Sequence, residues 1–497
     1  MSSLVAVIDI GKTNKKIALI DRALVVRATR QTSFPAILNG DGVLVEQVAA
    51  IWAWLKRELA ALYRDLPFHA ISVSTHGASW VALDDAGKPS VPVIAYEHDL
   101  GDGQAAFDEE FYRRCGPLER LQDETGSCDL PLLVNPGKAI FFAQRTWPGS
   151  WGRTRSIVNY PQYWGFLLTG RQTAEPTYTA NHSFLFDIRQ QRASSAAHLL
   201  GVADLIDWRL RAPWDQLGTL TPALQTELHL PALPVTIGIH DSNAALLPYL
   251  IKYRHRDFVL NSTGTWCVAM HRVERVAYRD DELGQKVIFN IDALDHYHKT
   301  SFLMGGMDYA LYHGLIGGSD PGFNQARLDT TLTHRHRAVL PGAYPSQFPT
   351  CSGGLYDNAT LISLTALKGG QRPAWFNDTA LAHDLLNISL ALQSEVALRR
   401  TDLGPTTAIF VEGGFRSNAT FLAVLAALFP TNPIVLTNLS QASSAGAALL
   451  GHALLSRCHP LALAEAITIS EQAVARPALV NLDAYRTAWM EMAMNPE

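Results

Sequence analysis

Twice along this chain an apolar run stops at a turn bearing glycine and hydroxyl side chains, then resumes as a second apolar run. Leu4 to Ile10 leads through Gly11-Lys12-Thr13-Asn14-Lys15 into Lys16 to Ile20. Asp257 to Leu260 leads through Asn261-Ser262-Thr263-Gly264-Thr265 into Trp266 to Met270. Short Val- and Ile-rich runs bounded by Gly, Thr and Asn predict β-hairpins. The echo is weak in sequence, yet a strand–turn–strand unit that recurs in each half predicts a duplicated architecture, one unit per domain. A chain of 497 residues also exceeds what one ordinary core organises, so two or more domains are expected.

Between and after these hairpins, strands alternate with helices. Glu46 to Tyr63 carries Val48, Ile51, Leu55, Leu59 and Leu62 at helical spacing. Ala70 to Thr75 predicts a strand ending in His76-Gly77. A hairpin is expected from Trp80 to Leu83 with the turn Asp84-Asp85-Ala86-Gly87. From about 100 to 230 the pattern is less regular and rich in Trp, Tyr and Pro, as an insertion building a cleft wall would be. A small-residue helix follows Asp241 and is expected to end at Pro248. Ala380 to Arg400 predicts a long helix, and Ala408 to Val411 a buried strand. Asn418 is placed to cap a helix over Ala419 to Phe429, and Ser443 to Leu455 predicts another. Alternating strands and helices indicate α/β domains.

Composition narrows the function classes. A net charge of −5, with 47% hydrophobic and 18% charged residues, fits a globular enzyme and gives no basic field for nucleic acid or an anionic membrane. No apolar run reaches the ~18 residues of a membrane span. Asp9 and Lys12 interrupt the first apolar run, so no signal peptide is expected. The cysteines (Cys115, Cys128, Cys267, Cys351 and Cys458) lack metal-ligand spacing and fit a reduced, cytoplasmic setting.

Several places carry chemistry. Pro234 to Leu246 reads as a short strand, a Gly-Ile-His-Asp turn and a helix start. Asp241 there suits a general base reaching into a cleft, and it equally suits a plain N-cap. Gly11, Thr13 and Asn14 form a turn whose backbone N–H groups can bind phosphate, with Asp9 able to hold a hydrated cation; a simple polar hairpin turn reads the same. Gly11-Lys12-Thr13 is no P-loop, because Ala6 stands where the first glycine belongs and a strand follows. Ser262-Thr263-Gly264-Thr265 offers a second cradle, and two such turns together suit a clamped triphosphate. Gly413-Gly414 allows backbone to approach a flat base, or makes a tight turn. His76-Gly77 and Tyr96-Glu97-His98-Asp99 supply the mixed donors and acceptors a polyhydroxylated ligand needs, although a lone His at a strand end is more often structural.

The ordered set Asp9-Ile10-Gly11, Thr75-His76-Gly77, Gly238-Ile239-His240-Asp241, Ser262-Thr263-Gly264-Thr265, Gly413-Gly414-Phe415-Arg416-Ser417-Asn418 and Gln441 through Ala448 resembles the FGGY family of carbohydrate kinases. Leu167-Leu168-Thr169-Gly170 with Thr179 through Asp187 adds to the resemblance, which covers about residues 4 to 455. It implies an α/β protein of two ribonuclease-H-like domains of the actin/hexokinase superfold with an interdomain cleft. The N-terminal domain, 1–247, would be the sugar side with the insertion at about 100–230; the C-terminal domain, 248–497, would be the nucleotide side.

By the same resemblance Asp241 is the general base, His240 its neighbour at the sugar and Gly77 a sugar-contacting glycine; His76, Glu97, His98 and Asp99, read from their residue types, are expected to bind substrate beside them. Asp9 matches the acidic residue near magnesium. Gly11 and Thr13 match the first phosphate turn, in which Lys12 and Asn14 are also expected at the phosphates; Gly264 and Thr265 match the second, and Gly413, Gly414 and Asn418 the nucleotide loop. The implied reaction is in-line transfer from ATP, with Mg2+, to a hydroxyl of a ketose, deoxyketose or alditol. Rhamnulokinase- and fuculokinase-like members are nearest in pattern. The expected partners are a sugar and ATP, without nucleic acid or membrane, and a homodimer is open. Lys12 departs from the usual Thr or Ala, no Arg follows Tyr96-Glu97-His98-Asp99, and Gln441 replaces Glu. These departures touch the substrate more than the reaction, and they keep a rival reading in view: a non-catalytic sensor that binds ATP and sugar on the same fold.

Overall fold

The computed structural model describes residues 3–342, 347–439 and 441–495. Two mixed sheets share one plan. In the first, Leu4–Ile10 (β1) pairs antiparallel with Asn14–Asp21 (β2), which pairs with Val26–Ser33 (β3). The other edge of β1 runs parallel to Ala70–Thr75 (β4), and Pro234–Thr236 (β5) lies beyond it. In the second, Phe258–Thr263 (β6) pairs antiparallel with Cys267–Val273 (β7). Val287–Ile291 (β8) and Tyr297–Leu303 (β9) extend that side, β9 lying next to β7. Parallel to β6 run Ala408–Gly413 (β10) and then Ile434–Asn438 (β11). Each sheet is therefore a hairpin whose first strand also carries parallel neighbours. The duplicated hairpin of the sequence is a duplicated sheet.

The covering helices are Val48–Asp65 (α1), Asp241–Lys252 (α2), Gly305–Ile316 (α3), Thr379–Arg399 (α4), Ala419–Leu428 (α5) and Ala442–Ser456 (α6). Central strands read as unbroken apolar runs because both of their faces are covered. On β1, Ala6, Ile8 and Ile10 join the cluster of Ile51, Leu55, Leu59 and Leu62 from α1. Val5 and Val7 point the other way, into a cluster with Ala447, Leu450 and Ala453 of α6. On the second sheet, Val259, Ile409 and Val411 pack with Leu385, Ile388 and Leu392 of α4. Phe258, Leu260 and Phe410 pack with Leu246, Tyr249 and Leu250 of α2. Each buried Val, Leu, Ile or Phe among these contributes about 1.5–3 kcal/mol.

The assignment of these faces is crossed. Helix α2, from the first half of the chain, covers the second sheet, and α6, from the second half, covers the first. They cross so closely that a Cβ on Gly446 would lie 1.7 Å from the Ala244 carbonyl oxygen. The crossing also corrects the expected helix end at Pro248, because α2 continues through it to Lys252. Pro248 has no N–H to offer the Ala244 carbonyl. That carbonyl faces the bare Cα of Gly446 instead, and burial of Leu246, Leu247, Tyr249, Leu250 and Ile251 holds the helix across the break.

Two further expectations change. Trp80–Leu83 finds its ladder partner in Ser156–Asn159, not in a local hairpin. The turn itself forms, Gly87 N–H donating to the Asp84 carbonyl, but the returning chain keeps only a bridge at Pro89. Pro89 and Pro92 lack the N–H groups a second strand needs. The 100–230 segment is more regular than its composition indicates. Pro136, Pro148, Pro176 and Pro222 sit in the first turns of helices, where a missing N–H costs nothing. Part of this segment closes the edge of the second sheet: the buried Gln122 amide donates to the carbonyls of Gln285 and Val287, at 3.0 and 2.8 Å. Among the described residues no helix is long and apolar enough to cross a membrane.

Candidate active site

A cavity of about 270 Å³ opens between the two sheets, with Asp241 at its wall. The short strand Ile239–His240 pairs with Ser74 and Thr75 of β4, which delivers His240 and Asp241 to the same end of the first sheet as Asp9 and His76. Asp241 is the first residue of α2, and the N-cap position is His240, which makes no side-chain cap. The N-cap reading of Asp241 is thereby corrected. Its carboxylate accepts from the Ser242 hydroxyl at 3.3 Å and lies 3.4 Å from His240 Nε2. Burial raises its pKa from 3.8 to about 7, the charge of Asp9 adds to the rise, and the Ser242 hydrogen bonds oppose it.

Asp9 ends β1 with its side chain 10% exposed. It accepts from Ser444 Oγ at 2.8 Å and Ser443 Oγ at 3.2 Å, and Lys16 Nζ lies 3.2 Å away. Both serines stand in the first turn of α6, where the helix dipole also favours an anion. Two carboxylates, one from each end of the first half, thus face the N-termini of the two crossing helices.

Three imidazoles line the cavity. His76 Nδ1 lies 2.8 Å from the Gly77 carbonyl, and its Nε2 is buried without a partner. His240 Nδ1 lies 3.3 Å from the Asn181 amide. Burial pushes His76 and His240 down to about 3 and His182 to about 4, so all three are neutral at pH 7. Gly77 is required by space, since a Cβ there would sit 2.7 Å from His240 Nε2. Tyr96 completes this wall, with its ring centroid 5.7 Å from that of His76.

The remaining expected residues divide. Lys12 is at the cavity, but its ammonium lies 2.5 Å from both Glu46 Oε1 and Glu97 Oε2. Gly11, Thr13 and Asn14 form the β1–β2 turn, and Thr13 and Asn14 are exposed. Gly264 and Thr265 form the exposed β6–β7 turn, beside Trp266 in the cavity wall. Thr263 ties that turn to the Gly413-Gly414 loop, its hydroxyl accepting from Phe415 N–H at 3.0 Å. Asn418 caps α5 through Phe421 N–H at 2.9 Å and donates to Asn387 Oδ1 at 2.7 Å. Glu97, His98 and Asp99 do not line the cavity, which corrects their expected place. His98 packs on the Phe142 ring, and exposed Asp99 accepts from Gly101 N–H to close a turn. Sequence reasoning did not assign Ser443, Ser444, Lys16, Asn181, His182 or Trp266 to the site.

The opposite wall comes from the second sheet: Trp266, Val268, Met270, Ile288 and Phe302. A larger groove of about 850 Å³ lies at the other end of that sheet, where Arg254, Arg272 and Arg275 mix with Glu274, Asp295 and Asp402. It contains none of the groups described above, and its exposed, mixed charges converge on no reacting centre.

Residues 4–248 match the model of the FGGY family of carbohydrate kinases, N-terminal domain, and residues 255–459 that of the carbohydrate kinase FGGY, C-terminal domain. A rhamnulokinase from Halalkalibacterium halodurans is 23% identical over 260 residues, which span 52% of each chain, about half the length of that relative. Among solved structures, a carbohydrate kinase from Novosphingobium aromaticivorans is 25% identical with a TM-score of 0.76, covering 99% of this chain and 98% of that one. Plasmodium falciparum glycerol kinase with ADP is 15% identical with a TM-score of 0.77, covering 99% and 97%. These likenesses establish an α/β fold of the actin/hexokinase type. With both of its halves matched in order, the chain belongs to the FGGY family of carbohydrate kinases.

Proposed function

We propose that the chain transfers the γ-phosphoryl group of ATP to a hydroxyl of a ketose, deoxyketose or alditol, with Asp241 as general base. The observation that carries this reading is the Asp241 carboxyl on a cleft cavity, raised to about 7. A base with that proton affinity accepts a hydroxyl proton near neutral pH, as the oxygen becomes the nucleophile. His76, His182 and His240 are neutral, and a neutral imidazole offers one donor and one acceptor nitrogen. That is what sugar hydroxyls require. The unpartnered His76 Nε2 and His182 Nδ1 each leave about 1–3 kcal/mol unsatisfied, which a bound hydroxyl would recover.

The turns Gly11, Thr13, Asn14 and Gly264, Thr265 would bind phosphate oxygens through backbone N–H groups. Gly413 and Gly414 would approach the base of the nucleotide, with Asn418 fixing the end of that loop. Magnesium is commonly held by one or two carboxylates, waters and phosphate oxygens, and needs no larger protein cage. Asp9, oriented by Ser443 and Ser444 and close enough to Asp241 to raise its pKa, fits that donor set. Bound there, the ion would neutralise charge on the phosphates. In this reading residues 1–247 form the sugar side and 248–497 the nucleotide side, and closure between them would exclude water.

The test is Asp241→Asn in a coupled ADP assay over a panel of ketoses and alditols. Turnover should fall by about 10²–10⁴ with the fold intact. A rate within about tenfold of wild type would remove Asp241 from the base role. A wild type that binds ATP and sugar without releasing ADP would favour the sensor reading instead.

A further inference from the structure

We infer that Lys12, held by Glu46 and Glu97, serves the sugar side of the cleft by donating to a hydroxyl of an uncharged acceptor, and is not a phosphate ligand. This rests on the kinase reading and narrows it. Lys12 stands in the β1–β2 turn, where sequence alone points it towards phosphate. Its ammonium instead lies 2.5 Å from Glu46 Oε1, 2.5 Å from Glu97 Oε2 and 4.9 Å from the centre of the Tyr96 ring. It shares the cavity wall with His76, Tyr96 and Asp241.

The turn is built to hold it there. Lys15, fully buried, donates from Nζ to the Lys12 carbonyl at 2.7 Å, which draws the backbone inward beneath the side chain. The Glu46 side chain is completely buried and anchors the inner end of the chain of charges. The outer end is accessible: Lys12 is 22% exposed and Glu97 37%. An ammonium has three protons; one goes to Glu46 Oε1, and Glu97 Oε2 is an ion-pair partner 2.5 Å away. Lys12 itself lines the cavity, so its remaining donor capacity is open to a hydroxyl there.

The charge balance selects among acceptors. Lys12 and the buried Lys15 beneath it are balanced by Glu46 and Glu97, and Asp241 adds a carboxylate across the cavity. The histidines contribute no positive charge at neutral pH. A sugar acid would bring its carboxylate into a cavity with no unbalanced cation, and burying an unpaired charge is costly. A neutral ketose, deoxyketose or alditol meets no such penalty.

The experiment compares wild type with Lys12→Met and Lys12→Arg. Xylulose, rhamnulose, glycerol and ribitol serve as neutral probes and gluconate as the anionic one. ADP release is measured with acceptor varied at saturating ATP and with ATP varied at saturating acceptor. Calorimetry of acceptor binding without nucleotide gives a readout independent of turnover. Lys12→Met should raise the KM and Kd of the best neutral acceptor about tenfold or more, the scale of one charge-assisted hydrogen bond, and change the KM for ATP less than about twofold. Lys12→Arg should recover part of the loss, and gluconate should be the poorest probe. A rise in the KM for ATP with unchanged acceptor binding would return Lys12 to the phosphates. Unchanged values for both would make the ion pair purely structural, and efficient use of gluconate would overturn the charge argument. If no probe yields ADP the kinase reading fails, while the calorimetric arm still decides the place of Lys12.

Discussion

Replacing Asp241 by Asn should stop turnover and, above neutral pH, make the protein more stable. The Asp241 carboxyl is raised from 3.8 to about 7, by burial first and by the charge of Asp9 second. A rise of that size corresponds to about 4 kcal/mol of differential interaction between the two protonation states. The side chain keeps 30% exposure, and water reaching it screens the penalty, which reduces the figure to about 1–2 kcal/mol. The sign follows from linkage. Between pH 3.8 and about 7 the folded carboxyl holds a proton that the unfolded chain has released. Stability therefore falls with rising pH across that window, is unpenalised below it and fully penalised above it. Asn carries no charge at any pH and escapes the penalty. The assay is the apparent Tm of both proteins, free of nucleotide, in matched buffers at about pH 5 and about pH 8. The variant's advantage should be larger at the higher pH. A variant no more stable than wild type at the higher pH, or an advantage independent of pH, refutes the claim that this carboxylate is held at a cost.

Activity should carry the same signature: kcat/KM rises with pH to a plateau above about 7, the ionisation of Asp241, and a profile flat from about pH 5 to 8 would contradict it. Gly446→Ala should cost about 1–3 kcal/mol and, by displacing the start of α2, lower kcat about 100-fold. Gly451→Ala, whose Cβ would meet Val5 Cγ1 at 2.4 Å and not α2, is the comparison; it should lose stability but much less kcat, and equal losses of rate would sink the role given to the crossing. Ser444→Ala removes the 2.8 Å donor to Asp9 and should raise the Mg2+ needed for half-maximal rate about tenfold or more. An unchanged magnesium titration would detach Asp9 from the metal.

Local chemistry explains which parts of this protein could be read from its sequence. β1, β4, α4, α5 and α6 were legible because apolar periodicity, a capping Asn and small-residue runs each act over a few neighbours. Trp80–Leu83 is the strand its pattern predicts, but its partner, Ser156–Asn159, lies over seventy residues on, beyond the reach of a local hairpin signal. The site divides in the same way. Asp9, His76, His240 and Asp241 end strands, so a strand boundary finds them. Ser443 and Ser444 reach Asp9 across a separation of 434 and 435 residues, which no local pattern encodes. Lys12 shows the limit best: its position in the turn was plain, but its direction depends on Glu46, buried at the start of the next helical segment, and on Glu97.

The crossing of α2 and α6 gives these long-range contacts a common cause. Asp241 and Asp9 both belong to the first sheet, one through the strand Ile239–His240 against β4 and the other at the end of β1. Each nevertheless meets the N-terminus of a helix whose far side packs on, or whose sequence belongs to, the other half. Were one sheet to rotate against the other, the contact of Gly446 with Ala244, within four residues of both helix starts, would be the pivot this packing favours. Groups close to a pivot move least, so such a rotation would leave the spacing of the two carboxylates nearly unchanged and carry the Gly264-Thr265 turn and the apolar wall further. The carboxylates that would hold metal and accept the proton are thus fixed to one body. The groups that would grip phosphate are carried by the other. Closure on this plan brings phosphate to a preformed acceptor site, and the close packing at Gly446 is what keeps that site in shape as the cleft moves.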